Sequence, residues 1–120
     1  MLNKLTIDNL FTAIDAMDAA TFTSFIVEDG SFQFGNWPPV VGRSNIEQAV
    51  EGFYASIKSL NHRLIDVVEF ENNLVSRGEV TYTRHNDTSV TLPFCNFFKM
   101  EAGLVRTYQI YIDVSTLYAE

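Results

Sequence analysis

The chain has two histidines, His62 and His85. Imidazole changes charge near neutral pH, so these are the side chains best suited to move a proton there. His62 precedes Asp66 in an alternating run, and a strand of period two places His62, Leu64, Asp66 and Val68 on one face. On this reading His62 is a candidate acid/base and Asp66 the carboxylate that orients it. His85 adjoins Asn86-Asp87, a turn pair, and is expected at the surface. The same parity puts Val80, Tyr82 and Arg84 on one face of a second strand, and Tyr108 with Ile110 on one face of a later one. Phenol and guanidinium groups donate hydrogen bonds to oxygen, so Tyr82, Arg84 and Tyr108 are candidates to hold an oxygenated ligand. Asp113 falls on the opposite face from Ile110, where an ion pair is the expected role. Cys95, the single cysteine, excludes an internal disulfide and has no base beside it in sequence, so an inert thiol is expected. Neither a metal-ligand spacing nor a Gly-rich phosphate loop occurs, and no metal or cofactor is expected.

The elements that must position these residues follow from periodicity. Ile7, Leu10, Phe11, Ile14 and Met17 form one apolar helical face over residues 6–17. Asp18 predicts the N-cap of a second, short helix that buries Phe22, Phe25 and Ile26 and ends at Glu28-Asp29-Gly30. Ser31-Phe32-Gln33-Phe34 reads as a short strand, followed by a Trp37-Pro38-Pro39 loop that cannot be helical. Ser44 and Glu47 match a capping box opening a third helix to about Ile57. The period then changes to two, giving strands over residues 60–71, 74–85, 88–100 and 104–114. Strands this long twist strongly, and helices laid on one side would close a cone with a pocket in it. Phe94, Asn96 and Phe98 alternate with Pro93, Cys95 and Phe97, so both faces of this strand are aromatic. A strand apolar on both sides has protein on both sides. One face is expected to meet the helices, and the convex face a second copy of the chain in a homodimer.

Several passages in this order resemble the nuclear transport factor 2-like superfamily, and within it the SnoaL-like branch. They are FTSFIVEDG at residues 22–30, Val41-Gly42-Arg43-Ser44-Asn45-Ile46, Glu101-Ala102-Gly103-Leu104-Val105 and Ile110-Tyr111-Ile112-Asp113. The resemblance implies an α+β cone of three N-terminal helices on a strongly curved antiparallel or mixed sheet, with residues 1–120 as one domain. It also implies that Val80 faces inward, and with it Tyr82 and Arg84. The pocket is then expected to be lined by Phe34, Trp37, Val80, Tyr82, Cys95, Phe97, Tyr108 and Ile110. Ketosteroid isomerase, a member of the superfamily, carries a carboxylate base where this chain has Phe34 and a second acid where it has Cys95. The tyrosine of its first helix is also missing here, and the limonene-epoxide hydrolase aspartate matches Ile110. The familiar reactions of both enzymes therefore have no carboxylate to run on.

With 120 residues the chain is one domain's length, and 47% hydrophobic content supports a packed core. A net charge of −7 disfavours nucleic acid as a partner, and no run is long enough to span a membrane. A cytoplasmic protein is the default, since nothing opens the chain like a signal peptide. Three functions fit: a pocket for a small hydrophobic oxygenated molecule with cofactor-free isomerase, cyclase or lyase chemistry; a ligand-binding or accessory domain without chemistry; and a dimerisation module whose cone is filled by side chains.

Overall fold

The computed structural model describes residues 2–118, with side chains from Thr6 onward. Helix α1 is Leu2–Asp15 and helix α2 is Ala19–Ser24. Strand β1 is Ile26–Phe34, and β2 is the two-residue Val40–Val41. Helix α3 is Arg43–Ala55, and strands β3 Ser59–Phe70, β4 Asn73–Thr83, β5 Ser89–Glu101 and β6 Leu104–Tyr111 complete the chain. The predicted order of three helices, one early strand and four late strands is thus observed, with β2 added. Asp18 caps α2 as predicted, accepting from the Thr21 amide at 3.1 Å and its hydroxyl at 2.7 Å. The hydroxyl and the amide of Thr21 hold the Asp18 carboxyl below its ordinary range.

Two boundaries differ from the sequence reading. Helix α2 stops at Ser24, and Ile26 already belongs to β1, because Ile26 pairs in parallel with Val105 of β6. No local pattern announces a partner that distant. Helix α3 is capped by Gly42 at φ 97° rather than by Ser44, with no side-chain cap bond. Glu47 accepts instead from Thr23 of α2 at 3.5 Å.

The sheet has six strands in the order β2-β1-β6-β5-β4-β3, antiparallel except where β1 runs parallel to β6. This corrects the expected cone. The sheet is mixed and open, with β2 and β3 as separate edges, and it is not strongly curved or closed. The helices cover one face. Phe11 of α1 sits 4.9 Å from His62, 6.2 Å from Phe94 and 6.3 Å from Phe98 between ring centroids, which fixes the inner side of β3 and β5. Ile7, Leu10, Phe22, Ile26, Ile46, Leu74, Phe98 and Val105 are the fully buried heart of the core.

One irregularity decides the site. The β3–β4 register runs His62↔Val80 and Leu64↔Gly78, then Asp66↔Arg77, leaving Ile65 as an extra residue. A side chain at Gly78 would meet the Arg63 carbonyl oxygen at 2.0 Å, so only glycine permits the strands to close here. Beyond the bulge the inward parity shifts by one residue, from Leu64 to Val67.

Candidate functional site

A cavity of about 90 Å³ lies between the inner face of the sheet and the helices. Its walls are aromatic and aliphatic: Phe22, Phe32, Phe34, Trp37, Phe53 and Ile110 among them. The rings brace one another, with Phe34 5.0 Å from Trp37 and 4.9 Å from Phe53, and Phe53 5.7 Å from Tyr82. Such edge-on packing fixes ring positions without blocking their hydroxyl ends.

Four polar side chains interrupt this lining: Tyr54, His62, Tyr82 and Tyr108. His62 is held from outside the cavity. Its ring Nδ1 lies 2.6 Å from one oxygen of Asp15, and its backbone amide donates to the other at 3.0 Å. Phe11 at 4.9 Å and Phe94 at 5.3 Å flank the imidazole. A carboxylate against Nδ1 selects the tautomer with its proton there and leaves Nε2 to accept one. Nε2 has no hydrogen-bond partner among the described residues. The geometry is that of a carboxylate-oriented acid/base at the wall of a largely apolar cavity.

The three phenols are equally unengaged. No hydroxyl of Tyr54, Tyr82 or Tyr108 bonds another described residue, and none is sealed against apolar atoms. Burial pushes all three up from the ordinary tyrosine range, with the Asp15 charge adding to the effect. They therefore stay protonated and can each donate to an oxygen in the cavity.

The candidate residues read from sequence separate clearly. Phe34, Trp37, His62, Tyr82, Tyr108 and Ile110 come together around the cavity. Val80 is buried in the core but does not line it. Asp66 does not reach His62: the Ile65 bulge turns it to the outer face, where it accepts from Arg77 Nε at 2.6 Å. Arg84 points to the C-terminal segment, donating to Leu117 O at 3.0 Å and Thr116 O at 2.7 Å. Cys95 and Phe97 are half-buried on the outer face, while Phe94, Asn96 and Phe98 fill the inner one. His85 is exposed and contacts the Ala55 carbonyl at 2.9 Å. Asp113 makes an Asx turn with the Ser115 amide at 3.0 Å, which lowers its proton affinity, rather than the expected ion pair.

The residues missed include Asp15 and Tyr54, and the apolar walls Phe22, Phe32 and Phe53. Asp15 did leave a signal, for it follows Phe11 by one helical turn and so extends the apolar stripe with a carboxylate. Among the described residues no three His, Cys, Asp or Glu side chains converge to hold a metal ion. No helix among them is long and apolar enough to cross a membrane.

Solved structures share this architecture. A protein of unknown function from Burkholderia pseudomallei superposes at TM-score 0.89 over 98% of this chain and 95% of that one, with 16% identity. TerC, co-crystallised with polyporic acid, gives 0.86 over 98% and 96%, with 15% identity. An epoxide hydrolase from M. tuberculosis gives 0.82 over 94% and 84%, with 11% identity. Identities this low carry the fold and no activity. No curated protein matches the chain. The SnoaL-like domain family matches residues 7–108, and with that span covering helices, sheet and cavity the chain belongs to this family, a branch of the nuclear transport factor 2-like superfamily related to polyketide cyclases.

Proposed function

We propose that the cavity binds a small, uncharged, hydrophobic molecule bearing one or two oxygens, and that His62 moves a proton on it without a cofactor. Tyr54, Tyr82 and Tyr108 would donate to the oxygen on which charge develops. A proton taken from carbon next to a carbonyl is a first step open to isomerase, cyclase and lyase chemistry alike. The carrying observation is the meeting of an Asp15-held imidazole with three unpartnered phenols in one apolar space. Among the described residues no Lys or Arg lines the cavity, which argues against a carboxylate or phosphate ligand. The space sets the scale. At about 90 Å³ it is smaller than the roughly 150 Å³ cavity that takes up benzene, so a single ring enters only with some movement of the walls.

The small volume favours a second reading, in which side chains fill the core and the domain only dimerises. One experiment separates the readings. The protein is incubated with 2-cyclohexenone in D2O, and exchange at the carbon next to the carbonyl is followed by NMR, with binding measured by calorimetry. Enzyme chemistry predicts accelerated exchange that falls about a hundredfold or more in His62→Ala. Binding without exchange identifies a binding domain, and the absence of both identifies a filled core.

The homodimer is carried as a further part of the proposal. Tyr111, Val68 and Phe70 are more than half exposed on the outer side of the sheet, beside half-buried Phe97. A second copy packed there would cover them.

A further inference from the structure

We infer that the segment from Val114 to Tyr118 is part of the binding site, where Tyr118 and Trp37 together form its entrance and Arg84 is the positioning residue that holds the segment in place. The inference concerns the same cavity and rests on its being open to a ligand.

Arg84 supplies the first observation. Its Nε and Nη2 donate to two consecutive main-chain carbonyls, Leu117 at 3.0 Å and Thr116 at 2.7 Å, and its Nη1 donates to the Thr88 hydroxyl at 3.1 Å. All three guanidinium nitrogens thus engage, and they tie the β4–β5 turn to the end of the chain. A planar fork suits two adjacent carbonyls in a way an ammonium does not. Val114 and Leu117 are buried beneath the segment, and a turn from the Leu117 amide to Val114 O at 3.0 Å shapes it.

Tyr118 supplies the second. Its ring stands 6.2 Å from Trp37 and its hydroxyl 3.0 Å from Ser56 Oγ at the end of α3. Trp37 lines the cavity, yet it is 39% exposed and Tyr118 is 46% exposed. Both rings therefore stand half in solvent at the rim. No backbone hydrogen bond joins the Trp37 loop to the Val114–Tyr118 segment among the described residues. Only side chains close this edge, so it can part while the sheet stays intact.

Trp37 is the one tryptophan of the chain, and its fluorescence reports the entrance alone. Acrylamide quenching of Trp37 is expected to rise about twofold in Tyr118→Ala and in Arg84→Met, with no further rise in the double variant because both act on one contact. Calorimetry is expected to show 2-naphthol binding about tenfold tighter in Tyr118→Ala than in wild type, with phenol changed less than threefold, since the second ring takes the vacated space. Unchanged quenching in Tyr118→Ala overturns the entrance, and the exposure of this side chain keeps the test valid should Arg84→Met unfold. Additive quenching overturns the positioning role of Arg84, and equal shifts for the two phenols overturn the role of Tyr118 in selection. Failure of phenol to bind wild type counts against the pocket itself, whereas quenching reports on the entrance independently.

Discussion

The two faces of the sheet hold their polar side chains differently. On the outer face several pair across the ladder: Arg77 with Asp66 at 2.6 Å, Arg63 with Glu79 at 2.7 Å, Thr81 with Thr91 at 2.9 Å. Water reaches these pairs, so each contributes little to stability. On the inner face His62 pairs with Asp15 and Asn96 donates to Ser76, whereas Tyr82, Tyr108 and, from α3, Tyr54 stand in apolar surroundings with no partner among the described residues. A donor that faces a largely apolar cavity without a protein acceptor is one that folding alone gives no reason to place there. The contrast separates residues that serve the sheet from residues that await something in the cavity. It also shows why composition misleads here, since the chain's most obvious His–Asp spacing joins one residue of each face.

The sharpest way to break the comparison is to exchange the two aspartates' roles experimentally. Asp15→Asn keeps the size of the side chain but removes the charge that orients and steadies His62. Its effect on His62-dependent exchange of 2-cyclohexenone should be about a hundredfold or more. Asp66→Asn should change the same rate less than twofold, since Asp66 faces away from the cavity. Equal losses in the two variants would show that the faces are not functionally distinct.

That pair of variants also measures what a sequence can disclose. Helix stripes and strand alternation are local, so the element order, the Asp18 cap and the shared faces of Val80 with Tyr82 and of Tyr108 with Ile110 were legible, while it was the family resemblance that turned them, with Phe34, toward one cavity. Asp66 was misplaced because a single inserted residue, Ile65, reverses parity, and the glycine that admits it stands on another strand. Asp15 was missed because its partner is 47 residues away, a closure that only tertiary packing makes. Arg84 was drawn into the pocket by parity, yet its strand ends at Thr83 and its side chain turns to carbonyls at the far end of the chain. The parallel β1–β6 pairing, which ends α2 early, is equally non-local. Cys95 and Phe97 were assigned to the cavity although alternation alone cannot say which side of a doubly aromatic strand the helices cover.

The outer face gives the intermediate effect. A dimer through it should sediment at twice the chain's 13.6 kDa at micromolar concentration. Tyr111→Arg places a charge in the middle of that surface and should shift the equilibrium to monomer, about tenfold or more in the dissociation constant. Exchange activity should be untouched, because Tyr111 is not among the cavity residues. A monomer in the wild type would remove the dimer and leave the inner face as it stands.

The smallest effect tests the inner phenols one at a time. Tyr82 has its proton affinity raised by burial first and by Tyr118, Tyr54 and Asp15 next. In the unfolded chain the same phenol ionises near its ordinary value of 10.0. Above that pH the unfolded state has lost a proton that the folded state still holds. Stability is therefore complete below pH 10 and declines as pH rises toward the folded-state value. Tyr82→Phe removes this term, so the alkaline loss of melting temperature between pH 9 and 11 should be shallower in the variant. At pH 7 the variant should be more stable by about 1 kcal/mol, because a hydroxyl without a partner has been taken out of the core. Binding of 2-cyclohexenone should weaken in the same protein, as a donor to its oxygen is lost. Stability and binding moving in opposite directions would mark Tyr82 as a residue kept for a ligand. Loss of both would place it among the residues that merely hold the inner face together.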